Sequence, residues 1–187
     1  LISLAVEVIL NKTFENSNSH IITSISIITY AGYLLTFLTR MTFLKHSRPV
    51  LIMFLTMVFF CDSLAWFFGV LFGKNNKGFI KASPNKSIAG FCGGIFGSIL
   101  SGILSWFLWK NIFTGSAAKL VLLGALISIT SILGDLVESV LKRSADCKDS
   151  GSIIPGRGGI LDSIDSIVFS APVFYFTITH IYPALLQ

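Results

Sequence analysis

Five stretches of this 187-residue chain stay apolar for about the length of a bilayer crossing, roughly 20–38, 49–73, 88–109, 118–141 and 164–185. About 20 apolar residues make a helix near 30 Å long, the thickness of the hydrocarbon core. Inside that core no water can satisfy an open backbone, so a spanning segment must be helical unless it closes a barrel. The expected fold class is therefore all-α, a polytopic transmembrane helix bundle of about five full spans. Residues 1–10 read as a partial N-terminal span or an interfacial helix. Only 12% of residues are charged and the mean hydropathy is +0.79; a soluble domain carries about 25% charged residues. Residues 1–187 read as a single membrane domain. The chain opens inside an apolar run without an initiator Met, and its natural N-terminal part is expected to be missing.

Polar breaks separate the runs, and their charges give the loops sides. The loops at 39–48 and 110–119 share one side and carry Arg40, Lys45, Arg48, Lys110 and Lys119. The loops at 74–87 and 142–163 share the other, with Lys74, Lys77, Lys81, Lys86, Lys142, Arg143, Lys148 and Arg157. Eight cations against five place the second pair in the cytoplasm. The net charge of +5 thus reflects topology. No basic stripe with interleaved aromatics is present, so nucleic acid is not an expected partner. Cys61, Cys92 and Cys147 are far apart with no His at ligand spacing, which argues against zinc. In the run at 88–109, Gly90, Gly93, Gly94, Gly97 and Gly102 recur at three- and four-residue spacing. Such residues let helices approach closely within the chain, or across a homodimer.

Several acids stand where lipid forbids them. Asp62 lies about 13 residues into its run, roughly 20 Å along a helix axis, and must face a wet or protein-lined interior. Asp135, Glu138 and Lys142 fall at i, i+3 and i+7, on one helix face. Asp162 and Asp165 repeat the i, i+3 spacing at the start of the last run, where acids also offset a helix dipole. Between these two sets lie Lys148, Asp149, Pro155 and the glycines 156, 158 and 159. Glycines let a backbone turn tightly and approach a phosphate or metal without a Cβ clash. Cations, glycines and paired carboxylates together suit a metal-bound polyphosphate in a polar pocket on the cytoplasmic side.

The run Ser139-x-Leu141-Lys142-Arg143-x4-Lys148-Asp149-x-Gly151, followed by Pro155-x-x-Gly158-Gly159-x-x-Asp162-x-x-Asp165, resembles the motif of the phosphatidate cytidylyltransferases, or CDP-diacylglycerol synthases. Further pieces are similar to that family: Asp62-Ser63-x-Ala65-Trp66-x-x-Gly69, Phe72-Gly73-Lys74, Ser83-Pro84-x-Lys86-Ser87, Gly93-Gly94 and Gly134-Asp135-Leu136-x-Glu138-Ser139. Together they cover roughly residues 60–170. The family usually has His at the place of Arg157 and Arg at that of Ser163, so the chain reads as a divergent branch in which Arg157 restores the missing charge. Family members are also longer at the N-terminus. The resemblance implies that CTP and phosphatidate give CDP-diacylglycerol and pyrophosphate, by in-line attack of the lipid phosphate on the α-phosphorus. It implies Mg²⁺ as cofactor, with room for a second cation. Asp149 and Asp162 are then the first candidate ligands, and Asp165 and Asp135 the additional ones. Lys148 stands with Asp149, Asp162 and Asp165 as catalytic. Lys142, Arg143 and Lys148 would meet phosphate, with Arg157 also binding substrate, Gly158 and Gly159 would allow close approach, and Asp62, Lys74 and Lys86 would complete the pocket. Acyl chains would enter sideways from the membrane lipids.

Two other activities fit some of these residues. A CTP-dependent polyprenol or phytol kinase, which resembles the family in part, would release CDP instead of pyrophosphate. An ion-coupled transporter would use Asp62, Asp135 and Glu138 as a cation path, but no matched interrupted spans recur in two halves, as such transporters often show.

Overall fold

The computed structural model describes residues 17–155 and 158–186. Among these the chain forms α1 (Ser17–Ile27), which runs into a π-helical turn (Ile28–Tyr33), then α2 (Thr36–Thr42), α3 (Ser47–Phe72), α4 (Ile88–Leu108), α5 (Ala118–Ser144), α6 (Leu161–Ile181) and a closing 3₁₀ turn (Pro183–Leu186). Four helices, α3 to α6, are long and apolar enough to cross a membrane. The protein is a multi-pass, all-helical membrane protein. The apolar run at 20–38 is divided among α1, the π turn and α2, with Leu34 N–H donating to Thr29 O at 3.2 Å, five residues back. The expected partial span at 1–10 lies outside the described residues.

Local chemistry sets the helix ends. Pro49 falls in the first turn of α3, where its missing N–H has no intrahelical acceptor to lose. Ser87 caps α4, its Oγ accepting from Gly90 N–H at 3.0 Å. Lys142 and Arg143 end α5, and Asp162 begins α6, each on the end of the dipole that favours its charge.

The helices pack in chain order, α3 on α4, α4 on α5 and α5 on α6. Glycines make the contacts close. A Cβ added to Gly93 would lie 2.6 Å from Leu64 O on α3, one at Gly124 2.8 Å from Ser98 O on α4, and one at Gly134 2.9 Å from Asp165 O on α6. The small-residue face expected of α4 is thus used within the chain. Gly124→Leu is expected to cost about 1–3 kcal/mol by overpacking and to lower the detergent unfolding temperature. Gly32→Ala, at a site with nothing within 4 Å, should not lower it.

Apolar and polar regions occupy opposite ends of this bundle. Phe37, Met53, Phe54, Leu120, Phe174 and Ile178 form the core at one end. That end is closed by Lys45 N–H donating to Leu185 O at 2.9 Å and by the Phe113–Tyr182 ring contact at 5.6 Å. The alternating helices carry residues 73–87, 145–155 and 158–160 to the other end, so the described parts of the two loops that share one side by charge also share one face of the fold.

Candidate active site

On that face the ends of α3, α5 and α6 and the entry to α4 enclose a cavity of about 570 Å³. The helical period delivers Asp135, Glu138 and Lys142 of α5 into it together, with Asp162 and Asp165 from α6, Asp62 from α3 and Asp149 from the 145–160 segment. Glu138 is only 1% exposed and Asp165 7%. One carboxylate oxygen each from Asp135, Glu138 and Asp165 lie within 4.8 Å of one another. Like charges so close need cations nearby. Lys142 Nζ stands 2.7 Å from Glu138 Oε2 and 2.7 Å from Asp162 Oδ1, and Lys86 pairs with Asp135. Ser166 N–H donates to Asp165 Oδ1 at 2.7 Å, and Ser131 Oγ donates to Asp62 Oδ1 at 3.5 Å.

The segment before α6 folds around Asp162. Ile154 and Gly158 exchange backbone hydrogen bonds of 2.8 and 3.0 Å, which bring the chain back on itself, and Gly158 has φ +99°. A Cβ on Gly158 would come 2.7 Å from Asp162 Oδ2 and 3.1 Å from Asp149 Cβ, so glycine alone lets both acids flank the turn. Asp162 Oδ2 accepts from Ser150 N–H at 2.8 Å, Ser150 Oγ at 2.8 Å and Gly159 N–H at 2.6 Å. Beside this polar cavity the exposed face of α3 along Phe59, Ser63, Leu64 and Phe67 forms an open groove. The two share Asp62 and Trp66.

Comparison with known sequences bears on this arrangement directly. The model of the family described as the cytidylyltransferase family matches residues 1–181. The chain belongs to the cytidylyltransferase family. Curated proteins named phosphatidate cytidylyltransferase are similar to it. One from Synechocystis is 48% identical over 108 residues, 55% of this chain and 34% of the relative. One from Bacillus subtilis is 45% identical over 116 residues, 62% and 42% of the two chains. One from Staphylococcus haemolyticus is 41% identical over 142 residues, 76% and 52%. The chain spans between a third and about half of the length of these relatives.

In this cytidylyltransferase fold Asp62, Lys86, Asp135, Lys142, Asp149, Asp162 and Asp165 all line the one polar cavity. Gly158 and Gly159 adjoin it through Asp162. Lys74, Arg143 and Lys148 are exposed on the same face, outside the lining. Arg157 lies outside the described residues. Glu138 joins Asp135 and Asp165 as a candidate cation ligand, and its signal was the periodicity that aligns it with Asp135 and Lys142. Lys77, Asn85 and Ser87 also line the cavity, and Ser163 contributes a buried Oγ without a hydrogen-bond partner among the described residues. Tyr30, on the π turn, likewise has a buried hydroxyl without a partner there. No sequence signal marked Tyr30.

The residues present fit a divalent cation. Glu138 Oε1 is buried without a hydrogen-bond partner among the described residues, beside two more carboxylates. An all-oxygen anionic set of this kind suits a hard cation. Asp162 is engaged differently, with both oxygens taken by Lys142 and the loop.

Proposed function

We propose that this protein acts in phospholipid biosynthesis, transferring the cytidylyl group of CTP to phosphatidate and releasing pyrophosphate. The observation that carries this reading is the meeting of carboxylates and lysines in one cavity, at one face of a cytidylyltransferase-family membrane bundle. Both substrates are anions, so charge repulsion is the main obstacle to reaction. Mg²⁺ on Asp135, Glu138 and Asp165, with Asp149 near and room for a second cation, would supply the charge that offsets that repulsion. Lys86 and Lys142 bind phosphate oxygens, and Gly158 and Gly159 keep side chains clear of the nucleotide. A lipid phosphate oxygen forms a bond to the α-phosphorus as the bond to the bridging oxygen breaks, and pyrophosphate leaves. A phosphate monoester is already largely deprotonated at neutral pH, so no side chain need act as base or nucleophile. The exposed face of α3 along Phe59, Leu64 and Phe67 adjoins the polar cavity and suits the acyl chains of a lipid held from the bilayer side. The excess of lysine and arginine on the site's face supports a cytoplasmic orientation, the side on which CTP is found.

The test uses the full-length protein with CTP labelled at the α-phosphate, phosphatidate and Mg²⁺. A labelled CDP-lipid with stoichiometric pyrophosphate is expected. Release of CDP with a newly phosphorylated lipid alcohol would overturn the reading in favour of a kinase.

A further inference from the structure

We propose that Lys86 and Lys142 are exchangeable cations, which neutralise the site's carboxylates until metal and nucleotide arrive and then pass to phosphate, so that the two ligands bind as one coupled unit. The inference deepens the cytidylyl-transfer reading and rests on it.

Two of the three clustered carboxylates already face an ammonium. Lys142 Nζ is 2.7 Å from Glu138 Oε2 and equally near Asp162 Oδ1, while Lys86 pairs with Asp135. Asp165 has no ion pair among the described residues and takes a backbone N–H instead. A bare dication entering among Asp135, Glu138 and Asp165 must therefore contend with two ammonium groups close by. A bare triphosphate meets the opposite difficulty, since its lysine partners are engaged and carboxylates surround it. Together the ligands remove both conflicts, with carboxylates turning to the metal and lysines to the phosphates.

Lysine suits this exchange because its charge is a compact point on a flexible four-carbon stem. Both stems start from ordered backbone, Lys142 in the last turn of α5 and Lys86 next to the Ser87 cap of α4. The ammonium can therefore change partner without movement of a helix. Linkage then requires reciprocity: whatever factor CTP adds to metal affinity, metal adds to CTP affinity.

The consequence distinguishes exchange from a structural ion pair. Removing a lysine's charge should tighten the binding of metal alone, although it weakens that of nucleotide. The experiment titrates Mn²⁺ into the full chain in detergent, without phosphatidate so that nothing turns over, and reads free Mn²⁺ by EPR. In the wild type, CTP is expected to tighten Mn²⁺ binding at least tenfold, and Mn²⁺ to tighten CTP binding by the same factor. In Lys142→Gln and in Lys86→Gln, Mn²⁺ alone should bind several-fold tighter than to the wild type, and the coupling factor should shrink toward one. The Lys86 variant gives the answer by itself if Lys142→Gln fails to fold. Mn²⁺ binding that is unchanged or weaker in the folded variants overturns the exchange. A coupling factor near one in a protein that makes CDP-diacylglycerol overturns the coupling alone. A wild type that binds no CTP overturns the transfer reading and the coupling with it.

Discussion

Asp165→Asn is expected to reduce the proposed CDP-diacylglycerol synthesis by on the order of 10²–10³-fold, the loss usual for removing one preorganised electrostatic group, without reducing the stability of the fold. The residue is 7% exposed and its Oδ1 accepts from Ser166 N–H at 2.7 Å. An amide oxygen keeps that hydrogen bond in the same volume. What disappears is one negative charge among three carboxylates whose oxygens lie within 4.8 Å of one another. Without a bound cation that charge is a source of repulsion, so its removal should leave the unfolding temperature in metal-free detergent unchanged or higher. Activity and stability are thus expected to diverge. Raising Mg²⁺ should recover part of the activity, because a weaker site still fills at higher concentration. Steady-state rates over a Mg²⁺ series, set beside thermal unfolding in EDTA, check both halves. Full activity at low Mg²⁺ would remove Asp165 from the metal site, and a large drop in unfolding temperature would make its role structural.

How far such roles can be read in advance depends on the distance over which each contact is set. The alignment of Asp135, Glu138 and Lys142 follows from the helical period alone, and the structure places all three in the cavity. Asp149 and Asp162, which the family resemblance names together, both line the cavity and flank Gly158, where only a glycine leaves room for them. The pairing of Lys86 with Asp135 is different in kind. It joins residues on separate helix ends and depends on how closely α4 docks, which the glycines of α4 permit but do not aim. The division of labour among the acids was equally hidden. The family resemblance made Asp162 a candidate ligand, but it cannot say which lone pairs the N–H groups of Ser150 and Gly159 will occupy. Hydropathy marks the run at 20–38 as apolar, and hydropathy does not register the π turn that interrupts it near Gly32. Tyr30 lies on that turn, which packs on α6.

Asp162→Asn should cost comparable activity for a separate reason, the loosening of the 145–160 segment. The carboxylate uses both oxygens: Oδ1 meets Lys142 Nζ at 2.7 Å, while Oδ2 takes Ser150 N–H, Ser150 Oγ and Gly159 N–H at 2.6 to 2.8 Å. An amide has one oxygen and one NH₂ group, and the NH₂ must point either at an ammonium or at backbone donors. One set of contacts is lost whichever way it turns. Each hydrogen bond to a charged group contributes about 1.5–3 kcal/mol, so the turn that holds Asp149 beside Gly158 loses much of its support. Lys142 is left with Glu138 as its remaining carboxylate partner. The expected results are faster proteolysis and hydrogen exchange confined to residues 145–160, and a fall in activity of about 10²-fold or more that added Mg²⁺ does not repair. Asp165→Asn should leave protection of the same segment intact and respond to Mg²⁺. Unchanged protection in Asp162→Asn together with rescue by Mg²⁺ would instead make Asp162 a metal ligand in the working enzyme, with the loop held by other contacts.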